Sequence, residues 1–238
     1  MTPRRCVLAW LAALAAPSFA QPGKRLEDVI EALLAAELPR VIGPAARYTS
    51  KVEGAFPDGS QIERVALVGE RVARPGNPVL DRFEATLRQV EIDTLRRRVD
   101  AIGDAQVEVR LRAGDVAGFL RSQGWVDGAA VGFTGRDGIV VSGRPMMNGY
   151  VAPGLGAAEF RGRLLPQGSQ LRLAVDAVRI AGFEATEIAR AVLEGTINPI
   201  VDAQAYAVPA RIDDAAVSEG NVMVVRASGS RVVPVAPK

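Results

Sequence analysis

Apolar and polar residues alternate with a period of two through most of this 238-residue chain, and no other feature restricts the fold as much. Successive side chains of a strand point to opposite faces, so such alternation marks strands with one buried face. Val107, Val109 and Leu111 alternate with Glu108, Arg110 and Arg112. Tyr48, Ser50 and Val52 open another strand, Val65, Leu67 and Val72 a further one, and Phe83, Ala85 and Leu87 fall on one face within 79–95. Val131 and Phe133 run into Gly135-Arg136-Asp137-Gly138, and Ile139-Val140-Val141 runs out of it. Asp-Gly between two such runs signals a hairpin. Residues 160–164 turn through Pro166-Gln167-Gly168-Ser169 into Leu171, Leu173 and Val175, and 210–217 and 222–227 flank Ser218-Glu219-Gly220-Asn221.

Helical periodicity interrupts this pattern in three places. Leu26, Val29, Ile30, Leu33, Leu34 and Leu38 make one apolar stripe, with Pro39 and Gly43 helping to end it. Asp115 is placed to cap a short helix through Ser122 with Val116, Phe119 and Leu120 inward. Thr186 is placed to cap 187–193, with Ile188, Ala191 and Val192 inward. The expected class is α+β: a long N-terminal helix packed against a large, strongly curved antiparallel sheet, with two short inserted helices. The strand-then-helix pairs 105–122 and 171–194 echo one another faintly.

The first twenty residues match the three-part pattern of a cleavable secretory signal. Arg4 and Arg5 are the charged start, 7–16 is apolar, and Ser18-Phe19-Ala20 predicts cleavage before Gln21. The apolar run is shorter than the roughly 20 residues that span a bilayer. The expected organisation is a signal peptide at 1–20, a single domain at 21–227 and a flexible tail at 228–238, in a periplasmic or secreted protein. Loss of Arg4 and Arg5 leaves 27 basic and 27 acidic residues, so charge gives no argument for nucleic acid. Cys6, the chain's one cysteine, leaves with the signal.

Composition excludes most catalysts. There is no His, so Ser-His-Asp and Cys-His machinery is out of reach. A protein without His, and without Cys after cleavage, is a poor zinc ligand. Lys24, Lys51 and Lys238 are the only lysines, with no SxxK around Lys51 and no phosphate loop. No catalytic residue, metal ligand or cofactor is therefore expected. Asp213-Asp214 and Glu184 with Glu187 are carboxylate pairs of the type glycan hydrolysis uses, and equally ordinary turn or cap residues. Trp125 is the only Trp left after cleavage, which weakens a sugar-cleft reading.

Two stretches suit a membrane surface. Arg96-Arg97-Arg98 is the one basic run, able to meet anionic headgroups or to end a solvated strand. Met146, Met147, Tyr150, Val151 and Leu155 lie in a Pro- and Gly-rich loop from Arg144 to Gly156. Apolar groups there either fold back over the core or form a patch that touches membrane.

From about Leu95 to Ala227 the chain resembles the LmeA-like phospholipid-binding proteins. The resemblance lies in Asp104-Ala-Gln-Val-Glu-Val-Arg-Leu-Arg-Ala-Gly-Asp115, a strand opening into a helix, and in Thr196-Ile-Asn-Pro-Ile-Val201, similar to the family's Leu-Asn-Pro-Leu run. Val208-Pro-Ala-Arg-Ile212 and the hairpin Val217-Ser-Glu-Gly-Asn-Val222 follow in the same order. The Met-Met loop and the turn Gly54-Ala-Phe-Pro-Asp-Gly59 depart from the family pattern. The resemblance implies a tubular lipid-binding-like fold, a helix wrapped by a curved sheet with an apolar groove between, and phospholipid binding without chemistry. It carries over no catalytic residue.

On that reading Ile30, Leu34, Phe119, Leu120, Ile188 and Val192 are candidate groove residues, and Met146, Met147 and Tyr150 candidate membrane contacts. The partners are phospholipid and, transiently, the membrane surface, with the protein partner unknown. The same apolar stripes also read as ordinary core. A structural or interaction module of the envelope, and a carboxylate-dependent glycan hydrolase, are the competing functions.

Overall fold

A computed structural model describes residues 26–57, 59–93, 98–147, 150–151, 156–203 and 210–232. The expected signal, the tail beyond Val232, Arg96 and Arg97, and Leu155 lie outside the described residues, as do the side chains of Arg98, Val192, Met147 and Tyr150.

The alternating segments form strands, and every pairing is antiparallel. Strands β1 (Arg47–Ala55), β2 (Gln61–Val72), β3 (Leu80–Asp93) and β4 (Arg98–Arg112) are a meander. Helix α2 (Ala113–Ser122) follows, then β5 (Val126–Thr134), β6 (Gly138–Met147), β7 (Tyr150–Val151), β8 (Ala158–Gln167), β9 (Gln170–Ile180) and β10 (Phe183–Glu184). Helix α3 (Glu187–Ile197) leads to β11 (Val201–Asp202), and β12 (Arg211–Ser218) and β13 (Val222–Val232) close the chain as a hairpin. Helix α1 (Leu26–Val41) precedes all of these.

The strands make two sheets rather than the one large sheet expected. The first has the order β1-β2-β3-β4-β13-β12. The second has the order β10-β9-β8-β6-β5, with β11 on β9 and β7 on β6. The split follows from α2, which breaks the meander after β4 and lets the returning C-terminal hairpin take the place beside it. Met223 then pairs with Leu111 and Val225 with Val109. The class is α+β, dominated by antiparallel sheet.

The described helices are short, and the long N-terminal helix expected is not supported. Helix α1 has 16 residues and packs on β1, the edge strand of the first sheet. It runs through Pro39 to Val41, past the expected stop, although Pro39 has no N–H to give the carbonyl four residues back. Gly43 does end it: at φ +135° an added Cβ would lie 2.3 Å from the Ala73 carbonyl oxygen. Asp115 is not the cap of α2. Arg112 holds that position without a side-chain cap, and Asp115, in the first turn, takes Arg71 in a bidentate pair at 2.5 and 2.6 Å.

One apolar core joins both sheets. Phe83, Leu111, Ile139, Leu164, Leu171 and Met223 are among its fully buried side chains. Strand β8 shows the pattern plainly: Phe160 and Leu164 turn inward, while Arg161 and Arg163 turn outward to Glu159 and Asp176. On the outer face of the first sheet an ionic ladder crosses β4, β13 and β12. Arg110 and Arg226 share Glu108 at 3.1 and 3.2 Å, and Asp214 takes Arg226 at 3.8 Å and Arg136 at 3.4 Å. Exposed pairs of this kind add little stability each, so burial carries the fold.

Candidate functional site

The nominated groove residues are not one groove. Ile30 (2% exposed) and Leu34 (4%) face the core from α1 on β1, whereas Phe119 (7%) and Leu120 (1%) do so from α2 on β5. Phe119 meets the Trp125 ring edge-on, with centroids 5.7 Å apart. Ile188 is a correction: it stands 77% exposed. At 100° per residue it lies about half a turn from Ile197, which with Leu193 and Glu194 makes the face of α3 that meets β9.

The apolar hollow lies elsewhere. Phe83 on β3, Val107 and Val109 on β4, and Val225 and Ala227 on β13 form one wall. Ile212, on β12 beside Ala227, and the adjoining Ala210 extend that wall, and Val201 and Ala203 line the hollow from beside β9. All nine lining residues are apolar, and among the described residues no polar or charged side chain is fully buried. Alternation points the sheet residues inward, and the three alanines leave space that larger side chains would fill. The cavity is partly open and about 30 Å³, room for roughly two water molecules. Sequence reasoning missed these residues, although Val107, Val109 and Val225 stand out in the alternation.

The nominated membrane contacts lie at the far end of the second sheet from this hollow. Met146 sits at the end of β6 and is half-buried, its N–H bonded to the Trp125 carbonyl at 3.0 Å. Register places that end beside Ala158 and Ile180, whereas Val201 of the hollow pairs with Leu171. Those positions on β9 are separated by about 30 Å of strand. The Met146 end also displays Phe183, 78% exposed, which sequence reasoning did not single out.

The carboxylate pairs are surface groups, and three of the four carboxylates meet an arginine. Asp213 lies 3.8 Å from Arg211, Asp214 belongs to the ionic ladder, and Glu187 takes Arg190 at 3.3 Å. Glu184 is exposed on β10. Among the described residues no three of Asp, Glu, His and Cys gather as a metal site, and no helix is long and apolar enough to cross a membrane.

Among the described residues the one strongly shifted acid is structural. The Tyr48 hydroxyl donates to the Gly43 carbonyl at 2.7 Å, and burial pushes its pKa up to about 12 against the opposing effect of Arg74. It pins the end of α1 to β1.

Comparison with protein-family models, with characterised proteins and with solved structures finds no match to this chain.

Proposed function

We propose that this chain is an exported, non-catalytic phospholipid-binding protein that holds or carries lipid in the cell envelope. The observation that carries the reading is the hollow between the β3-β4-β13-β12 part of the first sheet and the segment 201–203, lined by nine apolar residues and no polar one. An acyl chain gains roughly 0.8 kcal/mol per CH₂ transferred from water to such a lining. The LmeA-like resemblance supports the same reading, since two of its quoted segments, 196–201 and 208–212, contribute Val201 and Ile212 to the hollow. A tubular lipid-binding-like arrangement with a strongly curved sheet is part of this proposal, and the antiparallel sheets are compatible with it. At about 30 Å³ the cavity is too small for an acyl chain, so loading requires it to widen.

Native mass spectrometry of protein purified from its own envelope, with uptake from liposomes, tests the reading. Bound phospholipid, or its acquisition from vesicles, is the expected result. Absence of bound lipid together with absence of uptake overturns it. The competing reading, an interaction module with a solid core, is favoured by the small volume of the hollow itself and gains from that second outcome.

A further inference from the structure

Helix α3 turns polar side chains to the protein and apolar ones to the outside. On the side that meets β9, Glu194 accepts from the Val175 N–H at 2.5 Å and Arg190 donates to the Asp176 carbonyl at 3.1 Å. The opposite side carries Ile188, Ala191 and Gly195, all exposed. At 100° per residue these three fall within roughly 60° of one another. A surface helix ordinarily does the reverse, with its charged groups in water.

Phe183 stands just before this helix, on β10. Phe183 and Ile188 are the two most exposed large apolar side chains among the described residues. Phe183 is held out by a tight hairpin. It pairs with Ile180 across Ala181-Gly182, whose φ values of +51° and +85° are left-handed, as a type I′ turn requires.

A lipid surface suits this face better than a protein does. Helix α3 has 11 residues, so its outer side is about 16 Å long and about 10 Å wide. With Phe183 that is roughly 200 Å², against about 800 Å² on each partner of a stable pair. None of Phe183, Ile188, Ala191 and Gly195 has a side chain able to hydrogen-bond, whereas protein interfaces carry roughly one such bond per 100–200 Å². The β9 edge behind the helix is already bonded by Glu194, Arg190 and Asn198. Apolar side chains on a helix whose backbone bonds are internal are what a bilayer interface accepts. The flanking charges balance: Glu187 pairs with Arg190 at 3.3 Å, and Glu184 stands opposite Arg179. Contact is therefore by apolar insertion rather than by attraction to anionic headgroups.

We propose that the outer face of α3, with Phe183 beside its start, is a membrane-docking face. Phe183 and Ile188 enter the bilayer interface while α3 lies along it. The docking rests on this geometry, whereas its service to lipid carriage rests on the lipid-binding reading above.

Sedimentation with vesicles tests it. The probes are vesicles of phosphatidylcholine and vesicles of phosphatidylcholine with phosphatidylglycerol. The protein should bind both to a similar extent, with less than about a two-fold change when high salt screens the charges. Burying a Phe or Ile side chain is worth roughly ten-fold or more in partition. Ile188→Ser and Phe183→Ser should each weaken binding by about that factor. Phe56→Ser, at the exposed turn after β1, should leave it unchanged. Both substituted side chains are exposed, so circular dichroism and thermal melts should match the wild type. Wild-type binding by both variants overturns the docking face. So does a wild-type protein that binds no vesicles, which leaves the face to a second copy, read by sedimentation velocity, or to another protein.

A reporter locates the contact. In a Cys6→Ser background, an environment-sensitive fluorophore on Ala191→Cys should shift to the blue on vesicles, and the same label on Phe56→Cys should not. Equal shifts at the two positions overturn the docking face. Bound phospholipid is scored separately by native mass spectrometry. Loss of vesicle binding in Ile188→Ser and Phe183→Ser, with a wild type that neither carries nor takes up phospholipid, sustains the docking face and overturns the lipid-binding reading. Phospholipid carried by a wild type whose vesicle binding ignores both substitutions does the reverse.

Discussion

Asn198 holds Leu173 by both of its backbone groups: its side-chain oxygen accepts from the Leu173 N–H at 2.6 Å, and its amide nitrogen donates to the Leu173 carbonyl at 2.9 Å. One turn back, Glu194 accepts from the Val175 N–H at 2.5 Å. The end of α3 thus stands in for a neighbouring strand. The same device recurs elsewhere. Glu31 of α1 takes the Val52 N–H on edge strand β1 at 2.7 Å, and Asn221 takes the Phe133 N–H on edge strand β5 at 2.7 Å. Unpaired edges invite strand addition, and these side chains occupy backbone groups that would otherwise be open to it on β1, β5 and β9.

Replacing Asn198 tests that device. Asn198→Ala leaves both Leu173 groups without their partner, a loss of about 2–3 kcal/mol at a half-buried edge. The urea midpoint should fall accordingly. Glu194→Gln keeps an acceptor for the Val175 N–H and should cost under about 1 kcal/mol. Equal midpoints for Asn198→Ala and the wild type would refute the account.

Glycines divide by what surrounds them. Gly69 pairs with Tyr48 across β1 and β2, and an added Cβ would lie 2.6 Å from Tyr48 Cε1 and 2.8 Å from Val72 Cγ2. Gly69→Ala should destabilise by about 1–3 kcal/mol, as overpacking does. Gly114, in the first turn of α2, has open space around its missing side chain. Gly114→Ala should stabilise by about 0.5–1 kcal/mol. Thermal melts of the two variants should move in opposite directions.

Tyr48 makes stability depend on pH at the alkaline end. Its folded pKa of about 12 exceeds the ordinary value of 10, so the protonated phenol stabilises the fold. That contribution is full below pH 10 and is lost as pH rises towards 12. For a half-buried group it amounts to about 1–2 kcal/mol. Denaturant midpoints measured from pH 9 to 12 should fall less steeply in Tyr48→Phe. Parallel slopes would remove Tyr48 as the cause.

The alternation made most strands legible before any coordinates, because a period of two with turn residues between leaves few other solutions. Val107, Val109 and Leu111 became β4, and Gly135-Arg136-Asp137-Gly138 led into β6. The division into two sheets was not legible, because pairing β13 with β4 depends on a return from more than a hundred residues away. Ile188 misled because the packing face of α3 includes Glu194, a charged residue that an apolar stripe leaves out. Ile30 and Leu34 signalled burial, but periodicity is the same for a core and for a groove wall. The hollow depends on alanines at 203, 210 and 227 meeting across the fold, and small residues leave no periodic signal.

Filling the hollow separates binding from packing. Ala203 and Ala227 line it from opposite walls, Ala227 beside Val107 and Ile212 in the ladder. Ala203→Val and Ala227→Val each add two carbons where the space is about 30 Å³. Added apolar carbon that fits stabilises by about 0.8 kcal/mol per group, and carbon that does not fit costs about 1–3 kcal/mol. The remaining slack should therefore keep each variant within about 1.5 kcal/mol of the wild type. Lipid uptake should fall several-fold, because the space an acyl chain would take is already occupied. Uptake at the wild-type rate by both variants, with the fold intact by circular dichroism, would place the lipid somewhere other than between β13 and the segment 201–203.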